Sequence, residues 1–154
     1  MGATHQFQIN TFRFCDMPNF KEFIGLRYKN LGRDKSGVDC YGSVKLIYKD
    51  KLDIDLPDFT ELLYEEGWYK EHNHILDNIW DDWVEVQYPY RVYDALLFYS
   101  YELKTVVNHI GILVEEGEFL HIGSKYSSRV DQLNDHWKAR LYKVLRHKRM
   151  IGNA

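Results

Sequence analysis

The chain has 154 residues, of which 45% are hydrophobic and 28% charged, and a formal net charge of −3. This composition is typical of a globular domain and excludes a disordered chain, while the charge lacks the basic excess of a nucleic-acid-binding protein. No apolar run approaches the roughly 18 residues of a membrane helix, and the first residues lack the pattern of a signal peptide. We therefore expect one domain over residues 1–154, folded in a cytoplasm, with no membrane insertion and no nucleic-acid partner.

The first half of the chain predicts helices. Residues 1–17 alternate weakly and predict a short strand or an extended arm. A proline in the first turn predicts a short helix from Asp16 to about Gly25, and the glycine-punctuated residues 28–37 predict a loop. A second helix follows, because apolar residues then recur at spacings of three and four: Val38, Tyr41, Val44, Ile47 and Tyr48. Cys40 lies in the first turn of that helix.

The second half predicts a sheet. Residues 58–83 read as two helical stretches interrupted near Gly67, and residues 87–93 as a loop. β-Branched and aromatic runs predict strands at residues 96–99, 106–114, 118–122 and 140–146, with a short helix or turn over 129–138. The order of helices first and an antiparallel meander second predicts an α+β domain.

Cys40 is a candidate nucleophile because of its position at the start of a helix. Unpaired backbone N–H groups and the helix macrodipole favour a thiolate there, and nearby N–H groups can hold an oxyanion. Gly37 and Gly42 flank the thiol and would let a substrate backbone approach. Two cysteines are weak evidence for a disulfide, so we interpret Cys15 as an ordinary free thiol.

Two histidines are candidates for the base that a thiol nucleophile needs. His109 and His121 lie 12 residues apart on either side of a predicted turn at Glu116–Gly117. The even spacing places them on one side of a hairpin, although a bulge changes that parity. A second imidazole orients the first adequately, because the orienting group only fixes tautomer and ring direction. From spacing alone, however, a cysteine that starts a helix and a histidine in an apolar strand are more often structural.

Three motifs in order carry a resemblance to a family. The segment Gly-Val-Asp-Cys-Tyr-Gly at 37–42, Asn-His-Ile-Gly-Ile at 108–112 and Phe-Leu-His at 119–121 resemble the NlpC-type bacterial cell-wall cysteine peptidases, over roughly residues 18–147. The resemblance implies a papain-like α+β fold with the nucleophile helix packed on an antiparallel sheet. It also implies cleavage of peptidoglycan stem peptides, often at the bond from γ-D-glutamate to a diamino acid, with no cofactor and no metal.

The resemblance assigns roles to five residues. Cys40 is the nucleophile, His109 the base and His121 its orienting partner, while Tyr28 and Asp39 belong to the substrate or oxyanion site. Within the family, the amino-acid sequence of residues 38–57 most resembles that of the phage-tail members. That likeness implies a place in a virion tail, with tail-tip or hub proteins as partners. The sequence departs from the family pattern at residues 28–32, at residue 41, where many members have serine, and at residue 93, which is often glycine; these departures bear on substrate preference.

Other interpretations stay open. The aromatic segment 68–93 suits protein interfaces, so the domain is alternatively a structural tail-tip or hub component, or a protease that processes tail proteins during assembly. A metal at His72 and His74 is not favoured, because two histidines two residues apart on a helix point away from each other.

Overall fold

The computed structural model describes residues 19–59 and 80–151. The predicted N-terminal arm, Cys15, His72, His74 and most of the 58–83 stretch lie outside the described residues. The regular elements are β1 (Arg33–Asp34), β2 (Gly37–Val38), α1 (Cys40–Ile47), β3 (Trp83–Glu85), β4 (Ala95–Tyr99), β5 (Val107–Glu115), β6 (Glu118–Gly123), β7 (Tyr126–Gln132), α2 (Asp135–Arg140), β8 (Leu141–His147) and α3 (Lys148–Ile151). A π-helical turn, Tyr48–Leu52, extends α1, and 3-10 turns lie at Lys21–Phe23 and Trp80–Asp82.

The main sheet has six strands in the order β3-β8-β4-β5-β6-β7, and every neighbouring pair is antiparallel. Strands β4 to β7 form an antiparallel meander, whereas β8, which was predicted to continue the meander after β6, crosses back to lie between β3 and β4. An ion pair holds this return: Arg146 of β8 donates to both carboxylate oxygens of buried Asp94, at 2.8 and 2.7 Å. Two parallel bonds of this kind fix orientation as well as position.

The four predicted strands agree with β4, β5, β6 and β8 to within one residue. Three predictions were wrong. Residues 28–37 include the small hairpin β1–β2, residues 129–132 belong to β7 rather than to a helix or turn, and the predicted helix ending near Gly25 is only the 3-10 turn Lys21–Phe23 within the described residues. Strand β7 was missed because it is an edge strand with mostly polar residues, so its apolar alternation is weak.

The sheet is buried on both faces. Helix α1 covers one face through Tyr41, Val44 and Ile47, which belong to the same core cluster as Ile110, Ile112 and Leu120 of the sheet. The opposite face buries Leu96, Phe98, Leu113 and Phe119, against which Trp137 of α2 packs. This arrangement confirms the predicted α+β fold with the nucleophile helix on an antiparallel sheet. Within residues 19–59 and 80–151, no helix is long and apolar enough to span a membrane.

Candidate active site

Asp39 fixes the start of α1 and therefore the position of Cys40. Its buried carboxylate accepts hydrogen bonds from the Gly42 N–H at 2.7 Å, the Leu31 N–H at 3.0 Å and the Arg33 guanidinium at 2.9 Å. The first of these bonds is an N-cap, which satisfies a backbone donor that the helix itself leaves unpaired. Both carboxylate oxygens are thus engaged within the protein, and Asp39 holds Cys40 in position at the start of α1. Its predicted contact with substrate is not tested.

The glycines beside Cys40 serve packing. A Cβ at Gly42 would collide with the backbone carbonyl of Gly32, and a Cβ at Gly37 would lie 2.7 Å from the Cβ of Lys29. Real Cβ atoms do not approach that closely, so the nucleophile helix sits against its preceding loop only because residue 42 is glycine. Both glycines are therefore needed for close packing of the chain on itself, and their expected second role, room for a substrate backbone, stays a prediction.

The thiol of Cys40 lies against the backbone of β5, with its sulfur 4.0 Å from the carbonyl oxygen of Asn108, the residue before His109. Burial and the neighbouring Asp39 carboxylate raise the pKa of Cys40 to about 12, and the N–H groups of Ile110 and Tyr41 offset this only in part. The direction is opposite to that expected from the helix macrodipole. Burial and the negative charge of the capping residue Asp39 both favour the neutral thiol, and together they outweigh the macrodipole.

His109 and His121 form the predicted pair. Nε2 of His109 lies 2.8 Å from Nδ1 of His121. The register between β5 and β6, in which Ile112 pairs with Leu120, places His121 opposite Gly111 when extended toward the open end of the hairpin. A Cβ at Gly111 would lie 2.9 Å from the Phe119 ring and 3.2 Å from the Cβ of His121. Because Gly111 has no side chain, there is space for the imidazole of His121 to reach that of His109, which lies two residues before Gly111 on the neighbouring strand.

A residue that the sequence analysis did not single out completes the chain of hydrogen bonds. Oδ2 of Asp131, on β7, lies 2.7 Å from Nε2 of His121 and also accepts from Nε of Arg129 at 2.9 Å. An ionised carboxylate only accepts, so Nε2 of His121 carries a proton and its Nδ1 accepts from Nε2–H of His109. Nδ1 of His109 is then left with a free lone pair. The spacing of Arg129 and Asp131 on alternate residues was the available signal, but it is informative only once the segment is known to be a strand.

The charges around the pair favour neutral imidazoles. Burial lowers the pKa of His109 well below its usual range, and the charges of His121 and Arg140 lower it further. Burial also lowers the pKa of His121, although the hydrogen bond that His121 donates to Asp131 opposes that shift. Burial acts to raise the pKa of Asp131, but its bonds with His121 and Arg129 outweigh burial and lower the pKa. The resting site therefore combines a neutral thiol, two neutral imidazoles and one carboxylate.

Aromatic rings enclose the imidazoles. Trp137 stacks on His109 with ring centroids 5.8 Å apart and contacts His121 edge-on at 4.9 Å. Phe98 and Phe119 lie on the same side of the sheet, 5.8 Å from His109 and 4.5 Å from His121 respectively. The rings hold both imidazoles in fixed orientations, with His121 buried and His109 half-buried.

The remaining predicted site residue, Tyr28, lies in the chain segment beside β2. Its backbone bridges to Val38, two residues before Cys40. Its role as an oxyanion donor stays a prediction. The described residues contain no group of three or more His, Cys, Asp or Glu side chains arranged to hold a metal ion.

Comparison with known proteins finds a murein hydrolase among curated proteins and NlpC/p60 proteins among solved structures. No protein-family model matches the chain. Over 125 residues, 80% of its length, the chain is 23% identical to the murein DD-endopeptidase MepS/murein LD-carboxypeptidase of Escherichia coli K12. The same alignment spans 57% of that curated relative, so the chain matches little more than half of it.

Solved structures with the same architecture include the NlpC/p60 domain of the peptidoglycan hydrolase SagA, with a TM-score of 0.53 and 19% identity over 82% of this chain and 91% of that one. An NLP/P60-family protein similar to lipoprotein from Staphylococcus aureus has a TM-score of 0.58 and 23% identity, covering 81% of this chain and 37% of that one. An NlpC/P60 family protein from Bacillus cereus has a TM-score of 0.57 and 19% identity, covering 85% of this chain and 41% of that one. The chain therefore has the papain-like fold of the NlpC/p60 proteins.

Proposed function

We propose that the chain is a cysteine peptidase that hydrolyses peptidoglycan stem peptides, with Cys40 as nucleophile, His109 as base, and His121 and Asp131 as the groups that orient the base. The observation that carries this proposal is the hydrogen-bond chain from Asp131 through His121 to Nε2 of His109. That chain leaves Nδ1 as the free basic nitrogen of His109, while the Cys40 thiol lies against the backbone of the same strand.

The reaction begins from the neutral pair. As the Cys40 sulfur attacks the carbonyl carbon of the scissile bond, Nδ1 of His109 takes the thiol proton, and a tetrahedral intermediate forms. The intermediate collapses to a thioester when the same nitrogen gives that proton to the leaving amine. Water then attacks the thioester carbonyl and passes one proton to Nδ1. The C–S bond breaks, and the same proton returns to the Cys40 sulfur, which restores the thiol.

The raised pKa of Cys40 and the lowered pKa of His109 support a mechanism in which the proton is transferred during attack. The imidazolium that forms is stabilised through His121 by the Asp131 carboxylate, which stays ionised throughout. We assign the oxyanion to the backbone N–H of Cys40 and to the hydroxyl of Tyr28, as the resemblance implies.

Relatives support the choice of substrate. The curated relative is named as a murein endopeptidase and carboxypeptidase, and one structural neighbour as a peptidoglycan hydrolase. We propose the bond between γ-D-glutamate and the diamino acid as the scissile bond, and the cross-link that a DD-endopeptidase cleaves as the competing choice.

The test is hydrolysis of defined muropeptides by the purified protein, followed by mass spectrometry. We expect a new free amine on the diamino acid, and we expect Cys40→Ala to abolish it; Cys15→Ala, which removes the other thiol, is the matched control and keeps activity. Product formation that persists in Cys40→Ala would overturn the nucleophile. Cleavage at the cross-link alone would support the proposed peptidase activity but would assign it the competing scissile bond.

The setting is a separate proposal that rests on the resemblance alone. We propose that the protein works in a phage tail, beside tail-tip or hub proteins, and opens the cell wall during entry. Mass spectrometry of the proteins that co-purify with it tests this setting. Tail proteins that stay uncleaved in particles carrying Cys40→Ala, with wall hydrolysis absent in the purified protein, would instead support the processing protease.

A further inference from the structure

A second feature adjoins the histidine side of the site. A cavity of about 660 Å³ lies between the residues that follow β4 and the end of α2, and its walls include Tyr99, Tyr101, Lys104, His136 and Arg140. We call it the Arg140 cavity. Its walls are aromatic and its charged groups are basic, so it suits a ligand that combines a negative charge with a flat or apolar portion.

Arg140 is the unusual group in this cavity. Three arginines in the described residues are partly buried: Arg33, Arg140 and Arg146. Arg33 forms an ion pair with Asp39 at 2.9 Å, and Arg146 forms one with Asp94 at 2.7 Å. Among the residues that the structure describes, Arg140 has no carboxylate partner; its Nε donates to the Tyr99 carbonyl at 3.1 Å and its guanidinium lies over aromatic rings.

The absence of a counter-ion is costly for a partly buried cation. A guanidinium out of bulk water is stabilised by a bidentate carboxylate, and the other two partly buried arginines of this chain have carboxylate partners. Burial lowers the pKa of Arg140, and the Tyr126 and Tyr101 side chains oppose that shift only in part. An anion that enters the cavity therefore meets a preformed donor group whose terminal nitrogens face no carboxylate of the described chain.

The cavity lies close to the reacting groups. The guanidinium of Arg140 lies 4.6 Å from the ring centre of Trp137, and the same ring stacks on His109. The Arg140 charge is also near enough to lower the pKa of both His109 and His121. An anion bound at Arg140 would therefore lie near His109 and His121 rather than on a remote surface.

We propose that the Arg140 cavity binds a free carboxylate of the substrate adjacent to the scissile bond. This inference rests on the proposed function and adds a determinant of specificity to it. A glutamate linked through its side-chain carboxyl leaves its α-carboxylate free, so a stem peptide with a γ-D-glutamyl bond presents such a group. Arg140 provides the bidentate contact, Lys104 and His136 add donors at the rim, and Tyr101 covers the adjoining apolar portion.

The test compares pairs of stem peptides that differ only by amidation of one carboxylate, either on D-glutamate or on the diamino acid. We expect Arg140→Gln to raise KM for the carboxylate form roughly 10- to 100-fold, the range for loss of a charged hydrogen bond. The amidated form should change less than about threefold. The pair that shows this difference identifies which carboxylate binds. Lys104→Gln, at the exposed rim of the cavity, should also raise KM more for the carboxylate form than for the amidated form, but by a smaller factor. Lys138→Gln, an exposed position on α2, is the control for net charge.

Equal effects of Arg140→Gln on both members of each pair would overturn the subsite, as would an unchanged KM. Binding of the same peptides to Cys40→Ala, measured by calorimetry, separates the two proposals. Carboxylate-dependent binding that Arg140→Gln removes, without hydrolysis by the wild type, keeps the subsite and rejects the peptidase. Hydrolysis with no preference between the carboxylate and amide forms keeps the peptidase and rejects the subsite.

Discussion

Asp131→Asn tests the direction of the proton chain. In the wild type a single oxygen, Oδ2, receives both the His121 N–H at 2.7 Å and the Arg129 N–H at 2.9 Å. Because both neighbours are donors, an asparagine there would turn its carbonyl oxygen toward them and keep its amide nitrogen away. The tautomers of His121 and His109 would then be preserved, and only the negative charge would be lost.

The expected magnitude follows from that geometry. A hydrogen bond to a charged group contributes about 1.5–3 kcal/mol, against about 0.5–1.5 kcal/mol for a neutral one. The difference of about 1–1.5 kcal/mol corresponds to a fall in kcat of roughly 5- to 12-fold, since 1.36 kcal/mol is tenfold. Adding Arg129→Met removes the second donor, so the amide can turn its NH2 group to His121 and reverse both tautomers. Nδ1 of His109 then carries a proton, and we expect kcat to fall at least another tenfold.

The assay is kcat and KM for stem-peptide hydrolysis by wild type, both single variants and the double variant. Arg129→Met alone should stay within about threefold of the wild type, because its donor only supports the carboxylate. Nitrogen-15 NMR of the histidine rings reports the tautomers directly and does not depend on activity. A wild-type kcat in Asp131→Asn, or a double variant no slower than Asp131→Asn, would refute the reasoning.

Two further predictions follow from the protonation states. Because the pKa of Cys40 is raised to about 12, its alkylation by iodoacetamide should accelerate about tenfold for each pH unit between 7 and 10; a plateau below pH 8 would show a preformed thiolate. Burial lowers the pKa of His109, His121 and His147 below the usual 6.5, so the unfolded chain takes up protons first as the pH falls. The free energy of unfolding should thus be nearly constant between about pH 7 and 8 and decrease below about pH 6.5, and His121→Asn should reduce the decrease. Urea denaturation at pH 7.5, 6.5 and 5.5 measures it, and equal values across that range would contradict the argument.

Sequence reasoning predicted the parts of the site that depend on local pattern. The start of α1 at Cys40 follows from a loop that ends at a capping residue and from apolar spacing. His109 and His121 share a face because of the register shift between Leu113 and Glu115: a ladder continued unshifted from the Glu115–Glu118 pair would place His121 opposite Ile112, on the other face. Both features depend on residues near each other in the sequence.

The features that were missed depend on tertiary burial. Asp131 reaches His121 only because an almost entirely polar segment pairs as the edge strand β7, and hydrophobic periodicity gives no signal for such a strand. The raised pKa of Cys40 comes from burial against β5, 68 residues away in the chain. The return of β8 between β3 and β4 likewise rests on a long-range ion pair.

The neutral state of the Cys40 thiol has a consequence for the lifetime of the protein before it meets a substrate. Oxidation by peroxide and disulfide exchange both begin with attack by a thiolate, so a cysteine that is protonated at rest oxidises slowly. The unfolded chain, in contrast, exposes an ordinary cysteine with a pKa near 8.5. Folding thus protects the Cys40 thiol chemically, and in the proposed mechanism the reactive anion exists only during the brief interval in which a bound substrate and His109 draw the proton away.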